Sequence, residues 1–215
     1  LVGGTYFPPD DRWGRRGFKS VLLELAGFWR DNKEKALEQS ERRAVMLREE
    51  ISQAEAGALP PSVQDKAFEA LAQSFDTEHG GFGTAPKFPT PHNLSFLLRY
   101  FKRSGKKEAL AMVERTLDAM SSGGIHDSLG GGFHRYSTDQ EWFLPHFEKM
   151  LYDQALLATA YVETFSLTGE ERHAEAARDI FEYVIRDLRD PGGAFYSAED
   201  ADSEGYEGRF FLWTP

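Results

Sequence analysis

Apolar side chains recur every three or four positions through most of this chain, a helical period, and the interruptions are rich in glycine and proline. Residues 1 to 7 alternate loosely and carry β-branched and aromatic types, which predicts a short strand stopped by PPDDRWGRRG. From Phe18 the spacing of Val21, Leu22, Leu25, Phe28 and Trp29 predicts a helix, and a charged continuation supported by Ala36, Leu37, Ala44, Met46 and Leu47 carries it to about Ser52. AEAGALPP, about 54 to 61, reads as a linker and a domain boundary. Beyond it the pattern predicts helices from Ser62, as cap, to about Phe75, from Thr90-Pro91 to near Ser104, and from Lys106 to Ser121. A further helix, from His146 to about Leu167, is the most apolar, with Phe147, Leu151, Ala155, Ala158, Val162 and Phe165 on one stripe. Thr168 and Glu171 have capping-box spacing for a last helix ending before Pro191.

A repeat lies over this pattern. Gly80-Gly81-Phe82, Gly131-Gly132-Phe133 and Gly192-Gly193-Ala194-Phe195 begin 51 and 61 residues apart, each after a helix and each near acidic residues. Two helices and one glycine-aromatic turn per period is the signature of stacked helical hairpins.

Composition narrows the choice of partners. With 25 Lys and Arg against 35 Asp and Glu, the formal charge is −10, and no basic cluster stands out, so nucleic acid and anionic membranes are not expected partners. Cysteine is absent, which leaves these residues without disulfides, thiolate metal ligands or thiol redox chemistry. No apolar run approaches the ~18 residues of a membrane span and LVGGTYFPP lacks the layout of a signal peptide, so a cytoplasmic protein is expected. Both ends read as interior to a longer chain.

Chemically able side chains crowd into residues 130 to 153, GGGFHRYSTDQEWFLPHFEKMLYD. On a helix starting near His146, the side chains of His146, Lys149 and Asp153 would share one face, with Glu148 and Tyr152 as a second pair one turn apart. Such pairs are met both on solvated, ion-paired helix faces and in pockets. The loop before them holds His134, Arg135, Tyr136 and Trp142, a mixture of rings and charges suited either to sugar binding or to packing between hairpins. A second acidic stretch, 196 to 208, offers Glu199, Asp200, Asp202 and Glu207, of which paired carboxylates can act as acid and base. It lacks the sixth-position glycine of an EF-hand loop, and the six histidines do not form i, i+4 pairs for zinc, so neither metal nor cofactor is expected. Lys87 stands between two prolines in GFGTAPKFPTPHN, either presented rigidly to a ligand or serving structure alone.

With GGTYFPPD, GGFGTAPKFPTP, GGIHDSLGGGFHRYSTDQEWFLPHFEKMLYDQA and GGAFYSAEDADSEGYEGRFFLW in view, the chain resembles the thioredoxin-domain, spermatogenesis-associated protein 20-like family over nearly its whole length. The resemblance implies a mainly α fold: the last strand and helix of a thioredoxin-like α/β domain in residues 1–53, then in 62–215 the first half of a six-hairpin (α/α) toroid like those of glycosidases and N-acylglucosamine 2-epimerase. By that analogy the site is a sugar pocket with His146, Glu148 and Asp200 as catalytic candidates. Lys87, His134, Arg135, Tyr136, Trp142, Lys149, Tyr152, Asp153 and Asp202 are the binding candidates. The rival is a thiol-redox or protein-handling factor, in which the toroid is a binding module and a client protein is met through the thioredoxin-like domain.

Overall fold

The computed structural model describes residues 7–12, 14–53 and 60–213, in two units, Leu1–Leu59 and Pro60–Pro215. In the first unit a loop leads into helix α1, Phe18–Gln53, whose entry is pinned by the Phe18 N–H donating to the Pro8 carbonyl at 2.7 Å. Non-helical backbone at Asn32 (φ −133°, ψ 28°) divides this long helix. The strand expected over residues 1 to 7 and the linker at 54 to 61 lie outside the described residues, apart from Phe7 and the prolines 60 and 61.

The second unit is an array of helices: α2 Ser62–Ser74, α3 Pro91–Ser104, α4 Lys107–Ser122, α5 Leu151–Thr168 and α6 Glu171–Tyr183, the last running into one π-helical turn, Val184–Leu188. Helix α3 packs on α4 and on α5, and α5 packs on α6. Their facing sides bury Leu94, Leu97, Val113, Leu117, Leu157 and Ile180 completely, each contributing on the order of 1.5–3 kcal/mol by removing its side chain from water. Among the described residues, six two-residue strands, three before α5 and three after Leu188, pair as antiparallel ladders: β1 Tyr136–Ser137 with β2 Pro145–His146, β3 Lys149–Met150 with β4 Ala198–Glu199, and β5 Asp202–Ser203 with β6 Tyr206–Glu207. Among the described residues no helix is long and apolar enough to cross a membrane.

The three glycine turns share one hydrogen-bond plan. In the first, the Asp76 N–H donates to Gly81 O (2.9 Å) and the Gly80 N–H to Asp76 O (2.9 Å). In the second, Asp127 and Gly132, and Gly131 and Asp127, repeat this at 3.0 and 2.8 Å; in the third, Asp190 pairs with Ala194 and Gly193 at 2.9 and 2.8 Å. One carboxylate oxygen of each aspartate also accepts N–H groups from its own loop, those of Glu78 and His79, of Leu129 and Gly130, and of Gly192. Glycine is required where these turns meet rings. A Cβ at Gly81 (φ +79°) would stand 2.5 Å from the Trp142 ring and one at Gly132 (φ +75°) 2.6 Å from that of Tyr183.

Local signals misplace several boundaries. The apolar helix begins at Leu151, not His146, because residues 145–150 are held extended by the ladders to 136–137 and 198–199. Its buried side is Gln154, Leu157, Ala158, Tyr161 and Thr164, while Ala155 and Val162 of the expected stripe are exposed. The amide of Gln154 fixes this rotation by bonding the backbone N–H and carbonyl of Phe133 at 2.9 and 2.5 Å. Ser62 is the first helical residue of α2, behind Pro61, and makes no cap bond. No Thr168–Glu171 box forms, since the Thr168 hydroxyl donates back to Thr164 O at 2.9 Å and Glu171 is already helical. Pro91 does open α3, behind a left-handed Thr90 (φ 43°).

Candidate functional site

Four of the candidate binding side chains are built into the turns. The Lys87 ammonium is fully buried and donates to Asp76 Oδ2 at 2.6 Å, Gly80 O at 2.8 Å and Gln140 O at 2.8 Å. In the second turn Lys149, 1% exposed, repeats the arrangement on Asp127 Oδ2 at 2.7 Å and Gly131 O at 2.8 Å, beneath the rings of Tyr183 and Phe211. Burial raises the Asp76 carboxyl, but the Lys87 ammonium and the turn's N–H groups outweigh it and hold the group well below the usual carboxylate range; Asp127 is held down in the same way by Lys149. Trp142 is completely buried, with its indole N–H on His79 O at 3.0 Å. His134 is 2% exposed, its Nδ1 on Phe147 O at 2.9 Å, and burial, helped by Lys149, brings its pKa down to about 4.

The remaining candidates from the 130–153 stretch do come together, through the β1–β2 ladder rather than a helix face. Tyr136 and His146 are cross-strand partners, so their rings stack at 4.9 Å and 22°. The Asp139 carboxylate ties off the intervening loop by accepting N–H bonds from Glu141, Phe143 and Leu144. On the other side of β1, Lys87 bridges Ser137, which brings the Phe88 ring to 4.8 Å from Tyr136. One residue out from the ladder, the Arg135 N–H donates to Glu148 O at 2.7 Å, and the guanidinium reaches Glu148 Oε2 at 2.8 Å.

His146 is held at one nitrogen: Nδ1 lies 2.6 Å from Glu207 Oε1, while Nε2, 3.7 Å from Glu148 Oε2, is beyond hydrogen-bond distance. Asp153, on the first turn of α5, is 7% exposed; burial, with Glu148 adding to it, pushes its pKa up to about 6 against the opposing pull of Arg135 and Tyr152. A partly buried ring, an imidazole between two carboxylates, an arginine and a carboxyl that titrates near 6 can position hydroxyls and move a proton.

The acidic turn contributes differently from expectation. Asp200 is exposed and accepts the Asp202 N–H at 3.0 Å, and Asp202 lies opposite Glu207 in the β5–β6 ladder. Glu207 therefore makes the contact with His146, and Glu199 meets the Tyr183 hydroxyl at 2.7 Å. Glu207 stood among four carboxylates without a local signal to single it out, and Phe88 was hidden beside Lys87 in a motif read for its lysine. Between the second and third turns a half-open concavity of about 620 Å³ is lined by Lys149, Tyr183, Arg186, Glu199 and Phe211 among others. Among the described residues no group of three or more His, Cys, Asp or Glu is placed to hold a metal ion.

The fold has known counterparts. A sugar epimerase from a ruminal bacterium superposes with a TM-score of 0.56 at 19% identity, over 62% of this chain and 37% of that one. Cellobiose 2-epimerase from Spirochaeta thermophila gives 0.55 at 20% identity, over 64% and 39%. A family 76 glycoside hydrolase from a bovine Bacteroides thetaiotaomicron strain gives 0.56 at 19%, over 67% and 32%. At such identities the likeness establishes architecture: the helical hairpins are part of an (α/α) toroid. No protein-family model matches the chain. In sequence it is 48% identical over its whole length to spermatogenesis-associated protein 20 of Homo sapiens and 46% identical to that of Rattus norvegicus, spanning 29% of the length of each. The chain is thus homologous along its whole length to part of spermatogenesis-associated protein 20.

Proposed function

We propose that the toroid binds a sugar and transfers a proton at the carbon beside the sugar's carbonyl, the chemistry of an epimerase or isomerase. The observation that carries this reading is His146, fixed at 2.6 Å from Glu207 and stacked on Tyr136. If Nδ1–H donates to Glu207, the lone pair of Nε2 is left free to act as a base. Nε2 takes the proton from the carbon next to the carbonyl of the open-chain sugar, and the electron pair moves onto the carbonyl oxygen as an enediolate. Return of a proton to the other face of that carbon gives the epimer, and to the neighbouring carbon the isomer. Asp153, titrating near 6, supplies a proton at neutral pH more readily than an ordinary carboxylate.

Tyr136 and Phe88 offer ring faces to apolar sugar CH groups, Arg135 and Glu148 fix hydroxyls, and Tyr152, Asp200 and Asp202 stand at the edge. The fold neighbours named as sugar epimerases and as a glycoside hydrolase support a carbohydrate substrate. A thioredoxin-like domain fused upstream and a cytoplasmic location belong to the same proposal. The test is proton NMR of the full-length protein in D2O with glucose, mannose, N-acetylglucosamine and cellobiose. Exchange of the C2 proton for deuterium, abolished by His146→Ala, is expected; absence of both exchange and binding for every sugar would overturn the proposal.

A further inference from the structure

The charges around His146 go further than the reaction class and, if the sugar reading holds, select among sugars. Two carboxylates, Glu207 at 2.6 Å and Glu148 at 3.7 Å, flank the imidazole, with Asp202 across the ladder from Glu207 and Asp153 beside Arg135 and Glu148, and the Arg135 guanidinium is already paired with Glu148 at 2.8 Å. The two lysines that the sequence offered as anion holders are engaged elsewhere. Lys149 is closed in by Asp127 and the Gly131 carbonyl, and Lys87 by Asp76 and two carbonyls. The Asp139 carboxylate is turned to its own loop, where it accepts three backbone N–H groups. An arriving phosphate or carboxylate therefore meets surplus negative charge beside an arginine whose charge Glu148 already balances, whereas hydroxyls find acceptors in the carboxylates.

We infer that the site takes uncharged sugars and rejects sugar phosphates and uronic acids. Like charges several ångströms apart in a partly shielded site repel strongly enough to weaken binding at least about tenfold. Glu207 is the half-exposed member of the group and touches His146 directly.

Calorimetric titration of the full-length protein compares glucose with glucose 6-phosphate and with glucuronate, and N-acetylglucosamine with its 6-phosphate. The neutral member of each pair is expected to bind at least about tenfold more tightly, and Glu207→Gln to narrow the gap about threefold. Anionic sugars binding as tightly as neutral ones would overturn the specificity and leave sugar binding intact. A gap that Glu207→Gln leaves unchanged, with neutral binding retained, would remove Glu207 as its source. Failure of every sugar to bind would instead remove the sugar reading on which the specificity rests.

Discussion

The first and second glycine turns are built alike but enclose different lengths of chain. Each clamps a buried lysine between its aspartate and a glycine carbonyl, Lys87 on Asp76 and Lys149 on Asp127. In the first turn the lysine follows its aspartate after 11 residues; in the second it follows after 22, and the extra chain is the loop and ladder that carry Arg135, Tyr136, His146 and Glu148. The third turn keeps the aspartate, but its outer oxygen accepts from the Tyr196 hydroxyl at 2.7 Å. The same strut thus closes a short loop in the first turn and a long one in the second, and the candidate site sits in the longer.

Removing a strut tests the comparison most severely. Lys87→Met leaves the Asp76 carboxylate, 6% exposed, without its cation, and Lys149→Met does the same to Asp127 at 13%. Losing one partner of a buried pair costs about 3–5 kcal/mol, so both variants should unfold at markedly lower urea, Lys87→Met at the lower of the two because Asp76 is the drier. The exposed Lys107→Met should stay within about 0.5 kcal/mol of wild type. A Lys87 or Lys149 variant that loses under 1 kcal/mol would mean that the strut is ornamental and its lysine available to a ligand.

Next in size is a glycine contrast between turns. Gly132→Ala places a Cβ 2.6 Å from the Tyr183 ring at φ +75°, whereas Gly193 of the third turn has φ +93° with nothing within 4 Å. The left-handed backbone costs an alanine about 1–2 kcal/mol at either position, and overpacking adds about 1–3 kcal/mol at Gly132 alone. Thermal unfolding of the two variants separates these contributions. Equal losses would show that the ring gives way and that conformation alone explains the glycines.

Much of this was legible in the sequence: the helices, the period of the turns, and the crowding of titratable and aromatic side chains into residues 130–153. What local pattern could not supply was direction. Lys87 and Lys149 look like ligand-binding cations until their acceptors are known, and those acceptors lie 11 and 22 residues back on a different turn of chain. Trp142 and His134 read as pocket rings, yet one fills the space above Gly81 and the other packs under Phe147 and Phe211. Helical spacing suggested that His146 and Asp153 share a helix face; instead His146 lies in β2 and Asp153 on the first turn of α5, because the ladders delay the helix to Leu151. Glu207 reaches His146 from 61 residues away, which no local period encodes.

Two buried groups at this second turn set opposing pH dependences. Asp153 titrates near 6 in the folded chain and near 3.8 when unfolded. Between those values the native state holds a proton that the unfolded state has released, so this group lowers stability as pH rises through the window, by about 2–3 kcal/mol in full above pH 6. His134 titrates near 4 folded and 6.5 unfolded, so its contribution is complete above pH 6.5 and is lost as pH falls towards 4. The two slopes largely cancel in wild type. Asp153→Asn should be more stable by up to about 2–3 kcal/mol at pH 7, with that advantage vanishing by pH 4, and its urea midpoint should fall steeply on acidification as the His134 slope is unmasked. An Asp153→Asn curve parallel to wild type would remove Asp153 as a buried titrating group.

The smallest stability effect and the largest functional one should coincide at Glu148 and His146. Glu148→Gln keeps the shape that accepts from Arg135, and the pair it weakens is partly exposed, 39% at Arg135 and 24% at Glu148, so the unfolding midpoint should move by less than about 1 kcal/mol. His146→Ala loses one ring stack and one exposed hydrogen bond, again on the order of 1 kcal/mol. Under the proton-transfer reading, each substitution should reduce deuterium exchange into sugar by about 10²-fold or more, while Lys87 and Lys149, whose variants unfold most readily, make no contact that the chemistry requires. If instead exchange persists in His146→Ala and its loss among variants follows only their loss of stability, the second turn differs from the first in length alone, and its inserted ladder is packing between hairpins.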